Sequence, residues 1–148
     1  MKRAFLRLAA ATLIVTLLGG CATGAKHSEI AGGLPSLKGG QGRIYFYRPS
    51  ILGAMVQPEI RLNGEVVGQA KSGGFFYVDR AAGNYQASAT TEAERTLSFT
   101  LAPGETKYIR CSMSMGLVVG RLVMEPQAAG VGDAELASLS YTGAAATR

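Results

Sequence analysis

Short segments of alternating apolar and polar residues, separated by turn-forming residues, most constrain how this chain of 148 residues can fold. Between two such segments lies Asn63-Gly64, a dipeptide that accepts the positive φ angles of a two-residue type I′ hairpin turn. Eight short strands at near-regular spacing favour an all-β fold. The sequence therefore predicts a two-sheet antiparallel β-sandwich of seven to eight strands.

The expected strands are bounded by proline, glycine and polar turn residues. They cover residues 43–48, 59–62, 65–68, 75–78, 85–90, 97–101, 106–113 and 117–125. The first ends at Pro49, which cannot donate to a neighbouring strand. Leu97, Phe99 and Leu101 alternate with polar residues and are expected to point inward.

The beginning of the chain has the layout of a secretory signal peptide. A basic start precedes an apolar run over residues 8–18, and the glycine pair Gly19-Gly20 follows. Because a membrane-spanning helix needs about 20 predominantly apolar residues, this run is too short for a permanent transmembrane anchor. We expect residues 1–20 to be a signal peptide that is cleaved after Gly20.

The string Leu18-Gly19-Gly20-Cys21 resembles the lipobox of bacterial lipoproteins. The resemblance implies that the Cys21 thiol carries a diacylglycerol and that its new amino group carries a third acyl chain. Two acyl chains already anchor a protein stably. Ala22 stands where, in that family, an aspartate would favour retention at the inner membrane. The resemblance thus implies a lipid-anchored, periplasm-facing protein of the outer membrane; the alternative is an ordinary secreted protein whose signal peptide contains a cysteine.

The charge of the mature chain argues against nucleic acid as a partner. The whole chain has a formal net charge of +5, from fifteen basic and ten acidic residues. Lys2, Arg3 and Arg7 leave with the signal peptide, so twelve basic residues remain beside ten acidic ones. These twelve form no Lys/Arg cluster of the kind that nucleic-acid binders carry.

Glycine-rich or small-residue segments flank the expected sandwich, which covers residues 42–126. The composition of residues 21–41 predicts a flexible tether, whose root-mean-square span is roughly 25 Å for some 20 residues. Residues 127–148 form an Ala/Gly-rich tail in which a short helix could form at 133–139, and its last residues are expected to be disordered. The alternative is that the tail folds back to cover a sheet edge.

The first strand carries a candidate binding patch. If Ile44 and Phe46 point into the core, Tyr45 and Tyr47 stand with Arg43 toward solvent, where they could stack on a sugar ring or a peptide. The alternative is that this strand packs on both sides, covered by the tether or the tail.

Cys111 is expected to be a buried, inert thiol. It alternates with Ile109 and Met113 on one strand face, and it has no disulfide partner because Cys21 carries lipid. A reactive thiol would need a neighbouring base or positive field, and the single histidine, His27, falls in the expected tether.

Other catalytic and cofactor chemistry has few candidates. Glu92 and Glu94 could form a carboxylate pair for glycan cleavage, but both lie at an expected hairpin tip, where solvated charge is the ordinary role. One histidine and no Asp-rich loop predict no metal site, and the glycines lack phosphate-loop spacing. No cofactor is expected beside the covalent lipid on Cys21.

Four strings in the strand region, at residues 43–49, 72–79, 82–85 and 103–111, together resemble the uncharacterised bacterial lipoprotein domain called domain of unknown function 2846. The similarity covers approximately residues 42–126. More loosely, the Asn-Gly hairpin, the aromatic strand and the Gly-x-Tyr strand are similar to small surface β-sandwiches of the PEGA and transthyretin-like kind. Where such families have a known role, it is display or binding without catalysis.

These observations predict a lipid-anchored envelope lipoprotein whose β-sandwich is a non-catalytic binding or structural domain. Its expected partners are the membrane, through the acyl chains, and an envelope protein assembly of which it is an accessory component. The alternative function is that of an enzyme or enzyme regulator acting on peptidoglycan or other envelope glycans.

Overall fold

Two β-sheets packed face to face form the body of the protein in the computed structural model, which describes residues 22–143. Nine strands are present in this range: β1 (Gln41–Arg48), β2 (Glu59–Leu62), β3 (Glu65–Gln69), β4 (Gly74–Ala81), β5 (Gly83–Thr90), β6 (Glu94–Leu101), β7 (Thr106–Ser114), β8 (Arg121–Gln127) and β9 (Ser140–Tyr141). The helix α1 (His27–Ile30) and a 3₁₀ turn (Ala31–Gly33) precede β1, and the helix α2 (Ala129–Leu136) precedes β9. The predicted all-β sandwich is confirmed.

The five-stranded sheet has the order β8-β7-β1-β4-β9, and the four-stranded sheet has the order β3-β2-β5-β6. Most neighbouring strands are antiparallel, as expected. Two pairs are parallel: β7 returns beside β1, with Phe46 opposite Ile109, and β9 lies beside β4. Because β1 and β7 run in the same direction, the loops that follow them leave the sandwich at the same end.

Two turns follow directly from their residues. Asn63 has φ 49° and Gly64 has φ 85°, which confirms the type I′ turn between β2 and β3. At the same end of the sandwich, Gly104 has φ 74° in the turn between β6 and β7. We call the end that contains these two tight turns the turn end.

The core lies between the inner faces of the two sheets. Ile44 and Phe46 of β1 point into it, and the ring of Phe46 stacks on that of Phe76 at 5.2 Å between centroids. The other fully or nearly fully buried members are Ile60, Leu62, Ala70, Ala87, Ala89, Leu101, Ile109, Cys111, Met113, Leu122 and Met124. Leu97 and Phe99 are partly buried against this cluster, so the predicted inward face of β6 is confirmed.

The strand expected at residues 117–125 begins later than predicted, at Arg121. Residues 115–120 instead form a loop that ends at Gly120, whose φ of 94° is incompatible with extended backbone. The apolar side chains of Leu117 and Val118 therefore lie in a loop and are exposed. Composition suggested one strand over residues 117–125, but the positive φ of Gly120 interrupts it, and β8 begins only at Arg121.

The segment expected to be a flexible tether is docked on the body, so that prediction is wrong for residues 22–38. Its backbone bonds the other end of the chain: the His27 N–H donates to Leu139 O at 2.9 Å, and the Tyr141 N–H donates to Ala25 O at 2.8 Å. Ile30 and Leu34 pack on the five-stranded sheet. These apolar contacts and the backbone hydrogen bonds hold the segment on the body.

The tail also folds back, as the alternative proposed. Helix α2 begins at Ala129, earlier than the helix expected at 133–139, and β9 pairs with the edge of β4. Residues 1–21 and 144–148 lie outside the described range, and with them the predicted signal peptide and the predicted disorder at the end of the chain. Within residues 22–143, no helix combines the length and apolarity that crossing a bilayer requires.

Candidate functional site

The predicted solvent-facing patch at Tyr45, Tyr47 and Arg43 is wrong. The three residues lie on the outer face of the five-stranded sheet, but they are only 5%, 1% and 8% exposed. The docked segment 22–38 and the tail cover this face. The alternative of a first strand packed on both sides is therefore confirmed.

An aromatic layer lies under this cover and consists of Tyr45, Tyr47, Phe75, Tyr108, Leu136 and Leu139. Tyr45 is at its centre, where its ring stacks on that of Tyr108 with 5.6 Å between centroids. Offset or edge contacts of this kind add stabilisation beyond the area that they bury. The layer thus forms a second, smaller core rather than an open binding surface.

Two tyrosine hydroxyls join the aromatic layer to α2. The Tyr47 hydroxyl donates to Glu135 Oε2 at 2.7 Å, and the Tyr108 hydroxyl donates to Asp133 Oδ1 at 2.6 Å. Desolvation, followed by the neighbouring carboxylate, raises the pKa of both tyrosines well above the ordinary value. Both hydroxyls remain protonated donors, so these groups position the tail.

Arg43 is held in a similar way. Its guanidinium donates to both carboxylate oxygens of Asp79 at 2.7 and 2.8 Å and to Pro35 O at 2.7 Å. It also lies over the ring of Tyr77, 4.5 Å from the centroid. The hydrogen bonds to Asp79 raise the pKa of Arg43 further above its ordinary range. Arg43 therefore ties the docked segment to the sheet.

His27 is part of the folded body, contrary to the expectation that it lies in a free tether. Its ring contacts those of Tyr45 and Phe75 edge-on, at 5.4 and 5.2 Å between centroids. Desolvation lowers the pKa of His27, and the carboxylate of Asp133 partly opposes that shift. The neutral imidazole is the form that suits this site.

Cys111 is buried in the core, which confirms that prediction. It is 1% exposed, and desolvation raises the pKa of its thiol to about 12. A thiolate is the reactive form of cysteine, so this thiol is inert in the folded protein. The predicted lipid site Cys21 and the predicted cleavage after Gly20 lie outside the described residues.

Glu92 has a structural role that its position at a hairpin tip did not reveal. Its two carboxylate oxygens accept the Leu117 N–H at 2.7 Å and the Gly120 N–H at 3.2 Å. Desolvation raises the pKa of Glu92, but hydrogen bonds from backbone N–H groups of residues 117–120 outweigh it and lower the pKa overall. Glu92 shapes the loop between β7 and β8 and is not simply a solvated charge. Within residues 22–143, no three His, Cys, Asp or Glu side chains form a potential metal site.

The largest feature that sequence reasoning missed is at the end of the sandwich opposite the turn end. We call it the loop end, and it comprises the loops at residues 49–58, 70–73, 91–93 and 115–120. Seven large apolar side chains are exposed in two of these loops: Ile51, Leu52, Met55, Met115, Leu117, Val118 and Val119. Leu52 and Val118 line one shallow depression, so the two loops adjoin. For the second loop, the signal in the sequence was an apolar run between Gly116 and Gly120, a pattern that also suits a strand.

Arg48 fixes the first of these loops. Its side chain is fully buried, and its guanidinium donates to four carbonyl oxygens, those of Leu52, Gly53, Val56 and Ala70, at 2.6 to 2.9 Å. Desolvation lowers the pKa of Arg48. Because the loop carbonyls turn inward to Arg48, the apolar side chains of the loop are left on the outside.

The first described residue, Ala22, also lies at the loop end. Its N–H donates to Ser72 O at 3.2 Å, and the Ser72 hydroxyl donates to Ser50 O at 3.0 Å in the first apolar loop. The neighbouring Gly73 N–H donates to Arg48 O at 2.8 Å. The described chain therefore begins at the loop end, close to the first apolar loop.

Comparison with known proteins identifies the family and leaves its activity open. Residues 38–122, more than half of the chain, match the family described as "Protein of unknown function (DUF2846)". An uncharacterized protein of Haemophilus influenzae is 26% identical over 117 residues, which cover 76% of this chain and 70% of that protein. No solved structure matches the chain. The match over residues 38–122 confirms the resemblance seen in the sequence, and the chain belongs to the DUF2846 family.

Proposed function

We propose that this protein is a lipid-anchored lipoprotein of the outer membrane, facing the periplasm, whose β-sandwich is a non-catalytic binding or structural domain. Its acylated Cys21 attaches it to the membrane, and the sandwich serves as an accessory component of an envelope protein assembly. The observation that carries this proposal is the string Leu18-Gly19-Gly20-Cys21 behind a basic and apolar start.

The roles of the polar side chains support a non-catalytic domain. The residues that first suggested chemistry are used in structural contacts: Arg43 with Asp79, Tyr47 with Glu135, and Glu92 with a loop backbone. Cys111 is a buried thiol with a raised pKa. The looser similarity to PEGA and transthyretin-like sandwiches also favours display or binding.

Metabolic labelling with a radioactive fatty acid tests the anchor, and the chain supplies a matched control. The native chain and Cys111→Ala should both take up label and sediment with membranes, while Cys21→Ala should do neither. Because Cys111 is buried, its replacement is the matched control for the replacement of Cys21. A native chain without label, or with another first residue after processing, contradicts the proposal.

Crosslinking in intact cells, followed by mass spectrometry, tests the accessory role. We expect an envelope protein to be captured by the native chain and lost with Cys21→Ala, because membrane attachment raises the effective concentration of the domain near its partner. Turnover of cell-wall fragments by the purified protein would instead support the glycan-directed alternative.

A further inference from the structure

We propose that the loop end is seated in the interface of a lipid bilayer, with the apolar side chains of residues 51–55 and 115–119 inserted among the lipids. This inference rests on the proposed acylation of Cys21 and deepens it. It assigns the domain a fixed orientation on its own membrane, with the turn end pointing away.

The distribution of exposed apolar side chains is the first argument. Nine large apolar side chains are exposed among the described residues, and all except Val66 and Val131 lie at the loop end. The most exposed are Met55, Met115, Leu117 and Val118, at 87% to 90%. Scattered apolar residues are ordinary on a protein surface, but such a concentration at one end marks an interaction surface.

The path of the chain is the second argument, and it selects lipid as the occupant. Ala22, the first described residue, bonds Ser72, so the described chain begins at the loop end. Since residues 22–38 are docked, they do not hold the domain roughly 25 Å from its anchor as a free tether would. Acyl chains on Cys21 would therefore enter the bilayer at the loop end, the end that carries the two apolar loops.

The backbone of the two loops is the third argument. Unbonded N–H and C=O groups make insertion into an apolar phase costly. The Arg48 guanidinium donates hydrogen bonds to the carbonyls of Leu52, Gly53 and Val56. The Glu92 carboxylate accepts hydrogen bonds from the N–H groups of Leu117 and Gly120. Arg48 is buried in the body of the domain, and Glu92 lies in the neighbouring loop at residues 91–93. The loops thus expose apolar side chains, while these backbone carbonyl and N–H groups are hydrogen-bonded to the side chains of Arg48 and Glu92.

Fluorescence quenching in vesicles tests the proposal with the full-length, processed protein. Single cysteines at Met55→Cys and Leu117→Cys, and at Ala102→Cys on the turn end as a matched control, would each carry a small fluorescent label. Cys111 is buried and would stay unlabelled. The protein would be reconstituted into vesicles of phosphatidylethanolamine and phosphatidylglycerol with brominated acyl chains.

We expect quenching at positions 55 and 117 to exceed that at position 102 by roughly threefold or more, as for groups at the headgroup and acyl boundary. Leu117→Glu combined with Val118→Glu should reduce the quenching at position 55 without releasing the protein from vesicles. Both side chains are exposed, so this variant should fold normally.

The experiment distinguishes failure of this inference from failure of the proposed lipid anchor. If the protein floats with the vesicles but positions 55 and 117 are quenched no more than position 102, the inference is overturned and the lipid anchor stands. If the processed protein does not float with vesicles, the proposed anchoring fails and the inference fails with it. If the labels at positions 55 and 117 are shielded from solvent in cells but are not quenched by lipid in vesicles, a protein covers the loop end. That result would also overturn the inference.

Discussion

The outer faces of the two sheets differ in what covers them. The five-stranded sheet presents Tyr45, Tyr47 and Tyr108, which lie beneath both ends of the described chain. The four-stranded sheet presents mostly polar side chains, including Arg61, Gln86, Thr96, Ser98 and Thr100, and these are exposed. The comparison teaches that the chemistry of the outward residues decides whether a sheet face needs a cover.

The cover is a structure of its own, built from two distant parts of the chain. Segment 22–38 and the tail bond each other through backbone groups, as at His27 and Leu139, and α2 bonds the sheet through Tyr47 and Tyr108. The cluster beneath it contains fewer buried residues than the main core. Substitutions that affect the cover should therefore separate the two faces experimentally.

The largest effect is expected from removing the central ring of the covered face. Tyr45→Ala should lower the free energy of unfolding by about 3–5 kcal/mol, because it deletes a buried aromatic side chain and leaves a cavity. Ser98→Ala on the open face is the matched control and should change it by less than about 0.5 kcal/mol. Urea denaturation measures both. Equal effects at the two positions would contradict the comparison.

Two glycines of α2 offer a sharper test of how closely the cover packs. A Cβ at Gly132 would overlap the ring of Tyr108, whereas a Cβ at Gly130 would meet no atom within 4 Å. Gly132→Ala should destabilise the protein by about 1–3 kcal/mol and expose the tail to limited proteolysis. Gly130→Ala should stabilise it by about 0.4–1 kcal/mol, since alanine favours helix. Similar proteolysis of both variants would mean that α2 is not packed on Tyr108.

A smaller effect is expected from one hydrogen bond between the sheet and the cover. Tyr47→Phe removes the bond to Glu135 and should cost about 1 kcal/mol. Tyr85→Phe removes an exposed bond to Ala81 O outside the cover and should cost less. Hydrogen exchange at amides of α2 should rise only in Tyr47→Phe. Unchanged exchange there would show that this bond does not hold the helix.

The smallest expected effect is a pH dependence of the docking of residues 22–38, which arises from His27. Burial lowers the pKa of His27 below 6.5 in the folded protein, so the docked state binds fewer protons than the undocked state. Docking of residues 22–38 is therefore fully stable above pH 6.5 and weakens as pH falls from 6.5 toward the folded pKa. Hydrogen exchange at Ser28 and Tyr141, corrected for intrinsic rates between about pH 8 and 5, measures this.

His27→Phe is the control for that experiment, because phenylalanine can occupy the aromatic site without titrating. The pH dependence near 6.5 should disappear in this variant, while amides of β7 should be unaffected in either protein. Protection that increased on acidification would contradict the direction of the shift.

Much of the sandwich was predictable because its information is local. Alternation, strand-forming composition and turn residues together identified seven of the strands, Asn63-Gly64 identified a turn, and the spacing of Ile109, Cys111 and Met113 placed that thiol in the core. Residues 117–120 were mistaken for a strand because apolar composition does not reveal that Glu92, from another hairpin, bonds their backbone.

By itself, the sequence determined the sandwich, its inward residues and the lipobox-like string that ends at Cys21, since each depends on neighbouring residues. Only the tertiary structure decided that Tyr45 is covered and that apolar loops and Ala22 share one end. Those features join segments that are far apart along the chain, such as Lys26 and Ser140, which meet in an isolated bridge. The local pattern of apolar and polar residues does not predict such contacts. The pattern of one segment is compatible with several partner segments, and the packing of the whole chain decides among them.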